Sequence, residues 1–303
     1  MPDATVVIVT RNRCAELRGA LASATAQRGS VEVMVLDDGS DDETRVMVAR
    51  DFPEVRLLRY ETRAGLVVRR NQAAALARAP VLVSIDDDAT FTAVDCVQQT
   101  LRDFDDPRVA AVAMPYDEVI DSYTARCQRA PSTTAIWVTP TFRGTAYAIR
   151  RDLFLDLHGF RDEIVHQGEE DDLCLRLLAA GYVVRLGRAA PILHRPSATR
   201  DLDRMDTYGR RNELLTSYTF FPAPLAAARM TGYAAKGLLH GVRVRRPMAM
   251  VRGIAHGLAA VWRLRHERQP LPWAVARLDR RLRRRGPLRL EEVAAWLPSR
   301  ATA

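Results

Sequence analysis

The chain has 303 residues, 48% of them hydrophobic, and a formal net charge of +8. That is enough apolar text to bury one large core or two smaller ones, which excludes a disordered chain, and no apolar run reaches the length of a membrane span. The charge is unevenly placed: from Gly241 onward fifteen arginines and no lysine stand against four acids, a local excess of +11, so the preceding part is net acidic.

Cys14, Cys96, Cys127 and Cys174 stand alone, with no C-x-x-C pair. Neither a zinc site nor a disulfide framework is suggested, and a reducing, cytoplasmic setting fits best. The N-terminus enters a strand pattern by Thr5 without a basic and apolar leader, so no secretory signal is expected.

Short β-branched runs then recur with helix-like text between them: TVVIVT from residue 5, VEVMVL from 31, VRLLRY from 55, VLVSI from 81 and VAAVAM from 109. This alternation predicts an α/β fold, a mostly parallel sheet covered by helices. Ser40 and Glu43 in SDDE match a capping box at a helix start. TAYAIR from 145 and YVVRL from 182 read as strands flanking the acidic helix start GEEDDLCLRLLAAGY. After about Pro222 the text becomes Ala/Arg-rich and helical, broken at Pro247, Pro270 and Pro272.

Two of the strands end in acid. VLDDGS places Asp37 and Asp38 after the second, and SIDDDA places Asp86, Asp87 and Asp88 after the fourth. Ligands of open α/β sheets sit at the carboxyl ends of the strands, and like charges sharing such a crevice repel unless a cation relieves them. Asp-x-Asp on a turn offers hard oxygen ligands that suit Mg2+ or Mn2+. Each acid cluster alone reads first as a solvated turn or helix cap, but two clusters on one sheet reverse that preference in favour of a site. No G-x-G-x-x-G follows the first strand in VTRNRCAEL, and no G-x-x-x-x-G-K-[ST] occurs, which disfavours dinucleotide and P-loop binding.

The series TVVIVTRNR, VEVMVLDDGSDDET, RAGLVVRRNQAAALARAPVLVSIDDDA and GEEDDLCLRLLAAGY resembles the family 2 glycosyltransferases over roughly residues 4 to 220. The resemblance implies a GT-A fold, a nucleotide-sugar donor (UDP-, dTDP- or GDP-sugar), a divalent metal, Mg2+ or Mn2+, and an inverting transfer. It divides the chain into a catalytic domain over 1–222, with a donor half to residue 115 and an acceptor half from 116, and an Arg-rich helical C-terminal region over 223–303.

By position, the resemblance puts Thr10 and Arg11, with Asp37 or Asp38, at the nucleotide base and ribose. Gly65, Arg70 and Asn71 match the stretch near the donor, although Arg69 and Arg70 read equally as a solvated helix face and Asn71 as a packing or capping residue. Asp86 and Asp88 match the Asp-x-Asp, with Asp88 the better metal ligand and Asp87 beside them on the donor side. Glycosyl transfer needs a carboxylate to take the acceptor proton. Aligned on Asp172-Leu173, the acidic helix start makes Glu170 that base, with Asp171 its competitor. Acids in the first turn of a helix also compensate its dipole, yet four in succession repel one another. His194, after the YVVRL strand, takes a position where the family often has a histidine near metal or diphosphate, against the commoner reading of a satisfied lone histidine. YGRRNELL resembles a Tyr-x-x-Arg-Asn helix of single-transfer members, which puts Arg211 at diphosphate or acceptor and leaves Arg210 exposed. The Gln-x-x-Arg-Trp motif and membrane helices of the polymerising members are absent, so one sugar addition is expected.

In the tail, Ile254, Leu258, Val261 and Trp262 have amphipathic helical spacing amid arginines, and Leu278 and Leu282 repeat it. Packing on the catalytic domain is the first reading. Peripheral contact with an anionic membrane or a lipid-linked acceptor is the second, and nucleic acid the last, because no aromatic interleaving accompanies the arginines. The acceptor is expected to be a hydroxyl-bearing small molecule, a lipid-linked saccharide or a cell-wall intermediate. Two rivals remain: a sugar-1-phosphate nucleotidyltransferase, disfavoured by the missing glycine-rich lysine loop, and a non-catalytic module docking through the tail.

Overall fold

β-Branched side chains are stiff at χ1 and fit a pleated surface, and the runs rich in them build the main sheet. The computed structural model describes residues 1–121, 123–197 and 201–300. Its first half alternates strand and helix: β1 (Ala4–Thr10), α1 (Cys14–Thr25), β2 (Val31–Asp37), α2 (Thr44–Asp51), β3 (Arg56–Arg59), α3 (Leu66–Leu76) and β4 (Val81–Ile85). The strands β3, β2, β1 and β4 pair side by side in parallel.

The second half is more mixed. It runs β5 (Ala89–Phe91), α4 (Cys96–Leu101), β6 (Val109–Ala113), β7 (Tyr116–Ile120), β8 (Tyr123–Cys127), β9 (Trp137–Thr139), β10 (Ala146–Arg150), α5 (Arg151–Asp156), α6 (Glu169–Ala179), β11 (Val183–Leu186) and β12 (Ile192–His194). The C-terminal part follows as α7 (Leu202–Phe220), α8 (Ala223–Arg243), α9 (Pro247–Arg263), α10 (Trp273–Arg285), β13 (Leu288–Arg289) and α11 (Leu290–Ala294). The main sheet has the order β13-β9-β11-β6-β10-β4-β1-β2-β3, with β10 antiparallel to both β4 and β6. A second sheet, β5-β12-β7-β8, stands beside it and carries His194 on β12.

Helices cover both faces of the main sheet, each over its own apolar cluster. One contains Val6, Ile8 and Val83, the other Val7, Met34 and Leu82, as alternation along buried parallel strands requires. The C-terminal part is joined to this core: β13 pairs with β9, and Val275, Leu278 and Leu282 of α10 share the first cluster with the strands.

Two local expectations are corrected. Ser40 is not a helix cap: its Oγ accepts from Asn12 N at 2.9 Å and ties the β1–α1 loop to the β2 end, while α2 begins only at Thr44. The stripe of Ile254, Leu258, Val261 and Trp262 is not the packed face of α9. That face is Ala249, Met250, Gly253, Gly257 and Ala260. A Cβ on Gly253 would lie 2.6 Å from Thr207 O, and one on Gly257 3.1 Å from Arg211 O, so small residues let α9 press directly on α7.

Candidate active site

The acids after β4 lie beside β1 and β12. Thr10 Oγ1 donates to Asp87 Oδ2 at 2.8 Å, and Arg13 Nη1 lies 2.5 Å from Asp87 Oδ1 and 3.1 Å from Asp88 Oδ2. Asp87 is buried, and burial outweighs the guanidinium and the hydroxyl in pushing its pKa up to about 6. Burial acts the same way on Asp88, but contacts with His194 and Arg13 overcome it and hold that carboxyl below its usual value.

His194 is buried, with Nε2 3.2 Å from Asp88 Oδ1 and Nδ1 3.5 Å from Glu118 Oε1. One ligand atom from each of Asp86, Asp88 and His194 can be chosen so that all lie within 4.8 Å of one another. Neither ring nitrogen makes a well-formed hydrogen bond among the described residues. A buried imidazole aimed at two carboxylates is a donor set that fits a divalent cation.

Arg70 links this cluster to the acidic turn of α6. Its Nη2 donates to Asp86 Oδ1 at 3.0 Å and to Gly144 O at 2.7 Å, and its Nη1 lies 3.9 Å from Glu169 Oε1. The other Asp86 oxygen accepts from Thr145 Oγ1 at 2.9 Å. Arg69 and Arg70 are both buried, which removes the solvated-face reading. Burial lowers the Arg70 pKa, yet Tyr147, Asp86, Glu169 and Glu170 around it reverse the sign and hold the guanidinium charged.

Glu170 Oε1 accepts from Gly144 N at 2.9 Å. Burial raises the Glu170 pKa against the opposing charge of Arg70. Burial and then the Glu170 charge push Glu169 up to about 8. The two carboxyls feel each other's charge, so they titrate as a pair rather than as independent groups. Asp171 is held differently, its Oδ1 accepting from Arg283 Nη2 of α10 at 3.1 Å. Asp172 is buried between Arg176 and Arg161.

A strained turn sets this helix start. Gln167 and Gly168 both have left-handed backbone, with φ of 67° and 93°. Asn212 of α7 holds the turn, its Nδ2 donating to His166 O at 2.9 Å and Gln167 O at 2.7 Å.

A cleft of about 950 Å³ is lined by Arg70, Asp86, Glu170, Asp171 and His194 together, with Arg229 and Tyr233 of α8 and Arg283 closing it from the C-terminal side. The remaining candidates lie around it. Arg11 is exposed, with Nε 3.4 Å from Gly39 O. Asp37 is buried, one oxygen accepting from Ser40 N at 2.8 Å and the other unpartnered among the described residues. Asp38 accepts from Ala64 N, Gly65 N and Arg69 Nε at 2.7–2.9 Å, which anchors the left-handed Gly65 at the start of α3. Asn71 clamps the 158–162 loop, donating to Phe160 O at 2.7 Å and accepting from Phe160 N at 2.9 Å. Arg211 turns away from the cleft: Nη1 donates to Glu163 O at 2.8 Å and to Asn212 Oδ1 at 2.5 Å, tying α7 to the loop before α6. Arg210 is not exposed either, being bonded to Glu213 and Tyr233 O.

Sequence reasoning missed Arg13, Thr145, Asn212 and Arg283. Arg13 stands in the same VTRNR run as Thr10, but nothing local says it reaches an acid 74 residues away.

The model of "Glycosyl transferase family 2" matches residues 5–159, just over half of the chain. The succinoglycan biosynthesis protein ExoU of Rhizobium meliloti (strain 1021) is 31% identical over 199 residues, 59% of this chain and 58% of its own. The pre-mycofactocin glycosyltransferase of Mycobacterium tuberculosis (strain ATCC 25618 / H37Rv) is 29% identical over 212 residues, 63% of this chain and 42% of its own. The chain thus spans under two thirds of the length of these relatives. Among solved structures, the mannosyltransferase PcManGT from Pyrobaculum calidifontis in complex with GDP-Man and Mn2+ superposes with a TM-score of 0.56 at 20% identity, covering 91% of this chain and 78% of that one. S. aureus TarS in complex with UDP-GlcNAc gives 0.62 at 14% identity, covering 93% and 87%. The fold is GT-A, with the parallel β3-β2-β1-β4 half and the acid-ended β4 at its centre, and the chain belongs to the family 2 glycosyltransferases.

Proposed function

We propose that the chain moves one sugar from a nucleoside-diphosphate sugar to an acceptor hydroxyl, with inversion at the anomeric carbon and without processive elongation. The observation that carries this reading is one cleft in which Arg70 bridges the Asp86, Asp88 and His194 cluster to the Glu169–Glu170 pair. Family membership and the nucleotide sugars bound by the structural neighbours support the donor class.

Asp86, Asp88 and His194 would hold a divalent cation, Mn2+ or Mg2+, which when bound supplies Lewis-acid neutralisation of the departing diphosphate. Arg70 adds a fixed positive charge at the same wall, and being buried it acts in a low dielectric. Glu170 takes the acceptor proton. Burial makes it a stronger base than a solvated glutamate, and the Gly144 amide keeps the accepting oxygen in place. Thr10, Arg11 and Asp37, at the carboxyl ends of β1 and β2, would meet the base and ribose of a UDP-, dTDP- or GDP-sugar. Residues 1–115 act as the donor half and 116–222 as the acceptor half, with a small-molecule, lipid-linked or cell-wall saccharide acceptor.

A panel of UDP-, dTDP- and GDP-sugars, assayed for nucleoside diphosphate release with and without EDTA, tests the reading. EDTA-sensitive release from one nucleotide class is expected. Pyrophosphate release would replace the reading by nucleotidyl transfer, and no turnover with any donor and acceptor would leave a binding module.

A further inference from the structure

α8 and α9 form a hairpin whose inner faces are occupied. Arg229 and Tyr233 of α8 line the cleft, and the glycine face of α9 lies on α7. The outer faces are apolar. On α8 the residues Leu238, Leu239 and Val242 fall on one side with Ala235 and Thr231, and Leu239 and Val242 are 74% and 70% exposed. On α9 the residues Met248, Leu258 and Trp262 share a side with Ala255, at 63%, 53% and 71% exposure. The two stripes flank the seam where Gly241 meets Met250, so they join into one surface.

Its charge is one-sided. The 41 residues of Ala223–Arg263 contain six arginines, one lysine and no acid. Arg246 and Arg252 are neutralised by Asp206 and Asp203 of α7. Among the described residues Lys236, Arg243, Arg245 and Arg263 form no ion pair, and the Arg265 guanidinium lies 4.4 Å from the Trp262 ring centroid. Among the described residues no helix is long and apolar enough to cross a membrane, so the surface would lie on one. Exposed leucine, valine and tryptophan rimmed by cations, with no acid on either helix, match the chemistry of an interfacial amphipathic pair.

We propose that the outer face of α8–α9 is a peripheral docking surface for an anionic phospholipid bilayer. The apolar stripes enter the headgroup boundary while Lys236, Arg243, Arg245 and Arg263 meet lipid phosphates. Docking stands on this face alone. That it brings a membrane-held acceptor to the cleft on the other side of α8 rests on the transferase reading.

The full chain is sedimented with phosphatidylglycerol-rich vesicles and with pure phosphatidylcholine vesicles, beside the double variant Leu239→Asp/Trp262→Asp. Expected is strong binding to the anionic vesicles, weakened by high salt and at least tenfold weaker on phosphatidylcholine. The variant should lose at least tenfold in binding while keeping its melting temperature and its turnover of soluble donor. Wild type remaining in the supernatant with both vesicles, or a variant that binds equally well, overturns the proposal. So does a concentration-dependent dimer abolished by the same substitutions, which would assign the face to a second copy. Loss of turnover with binding intact would instead strike the transferase reading alone.

Discussion

Arg13 Nη1 bridges Asp87 and Asp88, at 2.5 Å from one carboxylate and 3.1 Å from the other, and so places a permanent cation within the acid socket. Removing it leaves Asp87 buried with only the Thr10 hydroxyl as partner. Arg13→Met is expected to cost about 3 kcal/mol, typical of a buried ion pair that loses one member. A divalent cation should return part of that stability, because it restores positive charge to the socket. Thermal unfolding with and without MnCl2 checks this: the Mn2+-induced rise in Tm should be larger in the variant than in wild type, and equal rises would contradict it.

Glu170 and Asp171 are separated by their partners. Glu170 is half-buried and held by Gly144 N, while Asp171 is committed to Arg283. Glu170→Gln is expected to lower kcat by about 10²–10⁴ with donor affinity nearly unchanged, the range for loss of a general base. Asp171→Asn should cost much less than Glu170→Gln. Steady-state kinetics beside donor titration decide it, and a fully active Glu170→Gln would remove the base assignment.

Glu169 has a measurable pH signature. Its folded pKa, about 8, lies above its ordinary value of 4.5. The folded state therefore binds more protons than the unfolded one between these values, and this group's contribution to stability falls as pH rises from 4.5 to 8. Glu169→Gln should raise Tm at pH 8 and change it little at pH 4.5. A uniform shift across that window would show that Glu169 titrates normally.

Asn212 acts through the turn it holds and never touches the acids. With its two acceptors left behind, Asn212→Ala should cost about 1–3 kcal/mol. The left-handed Gln167–Gly168 turn would also loosen, so kcat is expected to fall more than KM rises. A variant that loses stability with kcat unchanged would make the clamp purely structural.

The parallel part of the sheet was legible because β1, β2, β4 and β6 are predominantly apolar runs rich in valine. The strands β5, β9, β12 and β13, of two or three residues, and the half-polar β7 and β8 carry too little periodicity to register. The acids of the site were legible for a similar reason, as local clusters at strand and helix ends. Arg13 and Asn212 were not, because their partners lie 74 and 45 residues away and only the fold brings them together. On α9 the large apolar residues mark a stripe that is half-buried at Ile254 and Val261 and exposed at Leu258 and Trp262, while the packed face is written mainly in glycine and alanine.

On the proposed reading, Asp86, Asp88 and His194 hold a divalent cation that anchors the donor diphosphate. Calorimetric titration of the preferred nucleoside diphosphate, with Mn2+ and with EDTA, into wild type and Asp88→Asn tests it most directly. Tight binding in wild type only with Mn2+, weakened at least tenfold in the variant, is the predicted result. Equal affinity in all four experiments would contradict the account.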